Sequence, residues 1–155
     1  MRPPVNITII PPAWTPYLQA ILRIMTGLLV LEHGTGKLLN FPVIPGIEQM
    51  MPHGLLLFTG AVELIGGALI VVGFLTRPTA FILSGFMAAA YFMAHFPQGF
   101  FPVLNNGELA IVYCFVFLYF AAAGASVWSV DDALGSSSAR SSSGHDFGRR
   151  APGGA

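Results

Sequence analysis

Five ionisable side chains in this sequence, His33, Lys37, Glu63, His95 and Glu108, are candidates for proton exchange or for holding a polar ligand. Glu63 is the most telling of them. It is the one charge in the apolar run from Leu56 to Leu75, and Gly60, Gly66 and Gly67 flank it at helical spacing. About 20 apolar residues suffice to cross a bilayer as a helix. An ionisable group inside such a span is costly and turns toward protein or water. Small residues let neighbouring helices come close in lipid, so the carboxylate and the packing face of this stretch coincide.

Several kinds of chemistry suit these residues. Imidazole and carboxylate together can bind a divalent metal, but here they come from separate stretches without a short motif such as His-x-x-x-His, and no metal is expected. A quinone or quinol head group needs an apolar cleft with a histidine and a carboxylate that exchange protons with it; His33 or His95 with Glu63 meets that need. A structural set is the third reading. In it Glu63 pairs with Lys37 or a histidine, His95 hydrogen-bonds a loop carbonyl, and Glu108 forms a capping box with Asn105. Transport of a small solute or ion is a fourth.

The elements that must position these groups follow from composition. The chain has 155 residues, 54% hydrophobic and 9% charged, against about 25% charged in a soluble domain. The expected fold is all-α, an integral membrane bundle of four transmembrane helices over about 17–39, 55–75, 78–96 and 108–128. An interfacial arm over 1–16 is expected to precede the transmembrane domain, which spans 17–132. Residues 133–155 are rich in Ser, Gly, Ala and Arg and are expected to form a disordered tail. Five prolines among the first sixteen residues break any signal-peptide core, which predicts that the first span is retained. A net charge of zero excludes the basic footprint of a nucleic-acid binder. The single cysteine, Cys114, excludes an internal disulfide and reads as a small core residue.

Helical wheels assign faces. Arg23, Gly27, Val30, Gly34 and Lys37 share one side of the first span, Ser84, Ala88, Tyr91 and His95 one side of the third, and Glu108, Val112, Phe115, Tyr119 and Ala122 one side of the fourth. The connection from Asn40 to His53 is long for a membrane hairpin and is expected either to lie on the headgroups or to cap the helices. Four spans place both termini on one side, with Arg2, Arg77, Arg140, Arg149 and Arg150. The positive-inside rule makes that side cytoplasmic. His33, Lys37, Glu63, His95 and Glu108 then converge on one layer near the outer face, each span supplying at least one. Arg23 sits roughly 9 Å inside the cytoplasmic end by helix rise, level with Asp131. An Arg23–Asp131 ion pair and snorkelling to lipid phosphate both satisfy it.

These residues together resemble the DoxX family of small four-helix membrane proteins. The resemblance rests on Arg23 with Gly27, His33-Gly34-x-x-Lys37-Leu38, Glu63-x-x-Gly66-Gly67, Gly73-x-x-Thr76-Arg77, His95, Asn106-Gly107-Glu108-Leu109-Ala110 and Trp128-Ser129-Val130-Asp131. It implies an accessory subunit of a membrane-associated oxidoreductase system, quinone-linked or concerned with thiol stress, rather than a complete enzyme. It makes quinone the candidate cofactor, and redox proteins or a second copy the candidate partners beside the lipid bilayer. The implied location is the bacterial plasma (inner) membrane, multi-pass. The lone Cys114 departs from any thiol-redox role for this chain by itself.

Overall fold

The computed structural model describes residues 9–136. The expected tail lies outside them except for its first four residues, as does the first half of the expected N-terminal arm. The described residues are helical and loop, without strands. Helix α1 runs Thr15–Leu39, α2 Ile47–Met50, α3 His53–Val72, α4 Thr76–Ala90, α5 Pro102–Asn105 and α6 Glu108–Ala123. After α4 the helix continues through a π turn, Tyr91–His95, and a 3-10 turn, Phe96–Gln98. Residues 130–136 form a further helical stretch.

Three of the helical runs are long and apolar enough to cross a membrane: Pro12–Leu39, His53–Val72 and Thr76–Gln98. The fourth is shorter than expected. Helix α6 stops at Ala123 instead of reaching Trp128, because Gly124 takes φ +86° and ends it. Its 16 residues span about 24 Å at 1.5 Å per residue.

Helix α1 packs chiefly on α3, and α4 on α6, with a lighter seam between α3 and α4. The four share a core of Val30, Ile70, Ala80, Leu83, Met87, Tyr113, Phe117 and Phe120. Outside that core large side chains face outward: Phe58, Ile65, Phe81 and Phe115 are each more than 60% exposed. So much continuous apolar surface is foreign to a protein in water and is what lipid-facing helices present.

The face read for α1 does turn inward: Arg23, Gly27, Val30 and Gly34 are all buried. The face read for α6 does not. Val112, Phe115 and Tyr119 are exposed, and Ala110, Tyr113, Phe117 and Phe120 are buried. Helix α6 is apolar on every side, so its sequence contains no amphipathic stripe to reveal the inner face.

The glycines near Glu63 divide between two neighbours. A Cβ on Gly67 would stand 2.6 Å from the backbone nitrogen of Leu31 on α1, and one on Gly66 would strike the Leu83 side chain of α4. Gly34 of α1 returns the contact, lying against the backbone of Glu63 and Leu64. The tight α1–α3 seam is therefore backbone on backbone. Gly34→Ala is expected to cost about 1–3 kcal/mol, the usual toll of overpacking; thermal unfolding in detergent measures it, and an unchanged midpoint would show the seam to be looser than this.

Candidate functional site

The end of the molecule where α1 begins and α3 and α6 stop is held by Arg23. Its guanidinium is 0% exposed. Nε donates to the Ala125 carbonyl at 3.0 Å, Nη1 to Ile70 and Val71 at 2.5 and 2.6 Å, and Nη2 to Trp128 at 2.7 Å. Ile70 and Val71 are in the last turn of α3, where helical N–H partners run out; Ile70 also accepts the Gly73 N–H at 3.2 Å, and Val71 relies on Arg23. The other two belong to the non-helical segment after α6. Arg23 thus neither snorkels nor forms a salt bridge with Asp131.

Asp131 has another task. It accepts hydrogen bonds from the backbone N–H groups of Leu75 and Thr76, both at 2.9 Å, and so caps α4, whose own preceding residue, Leu75, offers no capping side chain. Partial burial works to raise its carboxyl, but the Thr76 and Leu75 hydrogen bonds and the nearby Arg23 charge outweigh that and hold it below the usual carboxylate range. At the same end Arg77 donates to the carbonyl of Ala122 at 2.7 Å, covering the C-terminus of α6. Tyr17 and Trp128 pack their rings at 5.4 Å there, consistent with an interfacial aromatic belt.

The opposite end gathers the chemistry. Lys37 Nζ lies 2.8 Å from Glu63 Oε1 and 2.7 Å from Oε2, with both side chains under one-tenth exposed. Among the described residues it is the salt bridge of the molecule. One ammonium contacts both oxygens, and Oε2 accepts no well-aligned hydrogen bond. Gly60, with Lys37 and Leu38 packed where a Cβ would stand, brings the two helices close enough for the pair.

Beside the ion pair is a cavity of about 360 Å³. His33, Lys37, Glu63 and His95 all line it, so four of the five sequence candidates meet at one place. His33 is exposed as well as cavity-lining, so the cavity reaches the surface beside α1. His33 Nδ1 donates to the Leu29 carbonyl at 2.9 Å and His95 Nδ1 to the Asn105 carbonyl at 3.0 Å. A carbonyl can only accept, so each ring is held in the tautomer that leaves Nε2 free to receive a proton or hydrogen bond. The cavity's apolar walls include Val30, Met87 and Leu109. No group of three or more His, Cys, Asp or Glu suited to a metal occurs among the described residues.

Glu108 stands apart. It is exposed at the start of α6 and does not line the cavity. The capping box proposed for it with Asn105 is absent: no side chain caps α6. Asn105, 1% exposed, instead accepts from the Gly107 N–H at 2.8 Å and donates to the Gly99 carbonyl at 2.7 Å. An asparagine bonding the backbone two residues on folds a loop, and here it leaves nothing for the helix. The sequence reading also passed over Tyr113, Met51 and Asn106, which line the cavity. Tyr113 lies four residues before Phe117 in the uniformly apolar α6, and no periodic signal could have singled it out. Met51 belongs to the long connection, which together with Ile47 covers the cavity; the capping role considered for that connection fits this geometry. Cys114 accepts the Ser84 hydroxyl through its carbonyl at 2.8 Å, with its sulfur 3.6 Å from the same oxygen, in the α4–α6 contact.

Comparison with known proteins adds three findings. The DoxX family model matches residues 18–96. A relative from Haemophilus influenzae, described as an uncharacterized protein, is 42% identical over 123 residues, covering 77% of this chain and 92% of the relative. No solved structure matches.

Proposed function

The chain belongs to the DoxX family, and from that premise we propose that it is a membrane-embedded accessory subunit of an oxidoreductase system whose cavity receives a quinone head group. In this reading all four long helices cross the plasma membrane, α6 completing its passage through the segment that follows it. The termini lie in the cytoplasm, which sets the cavity near the outer face.

The observation that carries the reading is the joint lining of one cavity by the Lys37–Glu63 pair, two histidines and apolar walls. A quinone carbonyl is an acceptor, and the Lys37 ammonium and the Tyr113 hydroxyl are donors. A quinol hydroxyl is a donor, and the free Nε2 of either histidine, or Glu63 Oε2, can accept from it. The surface opening at His33 lets a lipid-soluble molecule enter without crossing water.

Thermal unfolding of the purified protein with short-chain benzoquinone and naphthoquinone analogues tests this. A ligand at a hundred times its Kd stabilises by about 2.7 kcal/mol, and a clear rise in Tm is expected that is lost in Glu63→Gln. No shift with any analogue would remove the quinone reading. A scaffolding role without ligand is the second reading, favoured by the closed Lys37–Glu63 contact at 2.7 Å; it expects unchanged Tm with every analogue and unchanged partner association in Glu63→Gln.

A further inference from the structure

A second chamber, of about 660 Å³, lies against the first at the loop-bearing end of the molecule. The two share Met51, Ala94, His95 and Asn106 in their walls. The remaining polar lining of the second chamber is the uncharged Gln98 and Asn105, amides that solvate water without titrating. His95 is its titratable lining residue among those described. The inner cavity has His33 and Lys37 from α1, Glu63 from α3, Tyr113 from α6 and the same His95. His95 is thus the titratable group common to both.

We propose that His95 is a proton relay between the Lys37–Glu63 cavity and a water-filled outer chamber. The local structure is built to hold it there. The helix departs from α geometry over Tyr91–His95, taking a π turn, a form that recurs at functional sites because it re-aims side chains. Tyr91 stacks on the imidazole, ring centroids 6.4 Å apart. The Nδ1 proton stays on the ring, donated to the Asn105 carbonyl, and Asn105 is itself fixed by its bonds to Gly99 and Gly107. Only Nε2 exchanges: it takes a proton from water in the outer chamber and returns it to water in the inner one. The proton ends on the Glu63 carboxylate, whose Oε2 accepts no aligned hydrogen bond although Lys37 Nζ stands 2.7 Å away; the reverse sequence delivers a proton outward. Histidine is the side chain whose ordinary titration near neutral pH suits such two-way transfer. The relay uses the cavity of the quinone reading but not the identity of what occupies it.

The test follows Glu63 protonation by time-resolved infrared spectroscopy after a pH jump, on the full chain in lipid nanodiscs with no quinone added. The carboxylic-acid C=O band is assigned by its loss in Glu63→Gln. His95→Gln, which keeps a donor for the Asn105 carbonyl but cannot carry a proton, is expected to slow the band's appearance at least tenfold. His95→Ala is expected to slow it similarly and to recover most of the rate with imidazole in the buffer; His33→Gln leaves it unchanged. A wild-type rate in His95→Gln overturns the proposal. So does slowing by His33→Gln as large as by His95→Gln, which would route the proton beside α1, or a folded His95→Ala that imidazole does not rescue. Should His95→Ala fail to fold, His95→Gln decides by itself. A null quinone result leaves this readout intact, and failure of the relay leaves the quinone reading standing.

Discussion

Arg23→Met will unfasten the end of the molecule where α3 and α6 stop and lower stability by about 3 kcal/mol or more, because each buried acceptor left without a donor costs about 1–3 kcal/mol. Three carbonyls depend on this one guanidinium, Val71 in α3 and Ala125 and Trp128 beyond α6, and a fourth, Ile70, shares it with the Gly73 N–H. Methionine replaces much of the stem's packing and none of the donors. To α1 the segment after α6 would keep the Gln19–Gly124 and Ser126–Pro16 hydrogen bonds, each 2.9 Å, and farther along the chain the Asp131 bonds to Gly73, Leu75 and Thr76. Arg23→Lys should fall between, since an ammonium lacks the planar fork that reaches acceptors on two sides at once. Chemical unfolding in detergent, with hydrogen exchange of the amides from Gly124 to Ser129, reads both effects. Stability of Arg23→Met within about 0.5 kcal/mol of the parent, the range of an ordinary surface change, would show that the guanidinium does not bind these segments together.

The Lys37–Glu63 pair gives the second large effect, and its sign depends on how the pair is altered. Lys37→Met alone strands a carboxylate beside Gly60 and Gly67 in the α1–α3 seam; removing one partner of a buried pair typically costs about 3–5 kcal/mol. Adding Glu63→Leu removes the stranded charge, and most of the loss should return, since a well-packed apolar replacement of a buried pair is often neutral or better. A double-mutant cycle on unfolding free energy measures the coupling. Additive single-mutant losses would mean that the two groups act independently despite their 2.7 Å contact. If the double variant is as stable as the parent yet no longer responds to quinone analogues, the pair serves a ligand more than the fold.

Much of the architecture was legible because lipid simplifies the code. A chain with 9% charged residues has few polar groups, and in a span such groups favour protein or water over lipid. That rule alone brought His33, Lys37, Glu63 and His95 to one layer, and these four line one cavity. The wheel of α1 also carried information, since Arg23, Gly27, Val30 and Gly34 alternate with large apolar residues. The same reasoning failed on α6, where apolar residues occupy all faces and only the neighbours decide which of them is core. It failed again at Glu108, whose capping spacing with Asn105 was outbid by Asn105's own loop.

The sequence by itself determined that the chain is helical, apolar enough for lipid, and furnished with a small set of ionisable groups at matching depths. Family membership was also legible there, in short motifs whose order carried more than any one of them. Only the tertiary structure decided which groups answer one another. Arg23 and Asp131 have opposite charges at the same level, and pairing them is the natural reading of a linear chain. Yet helix ends leave backbone carbonyls and N–H groups without partners, and where those ends meet is not written in any local pattern. The folded chain spends Arg23 on the carbonyls and Asp131 on the N–H groups. For Lys37 and Glu63 the opposite holds: glycines at Gly34, Gly60 and Gly67 bring two helical backbones into contact, and at that distance the ammonium and the carboxylate have no nearer partner than each other.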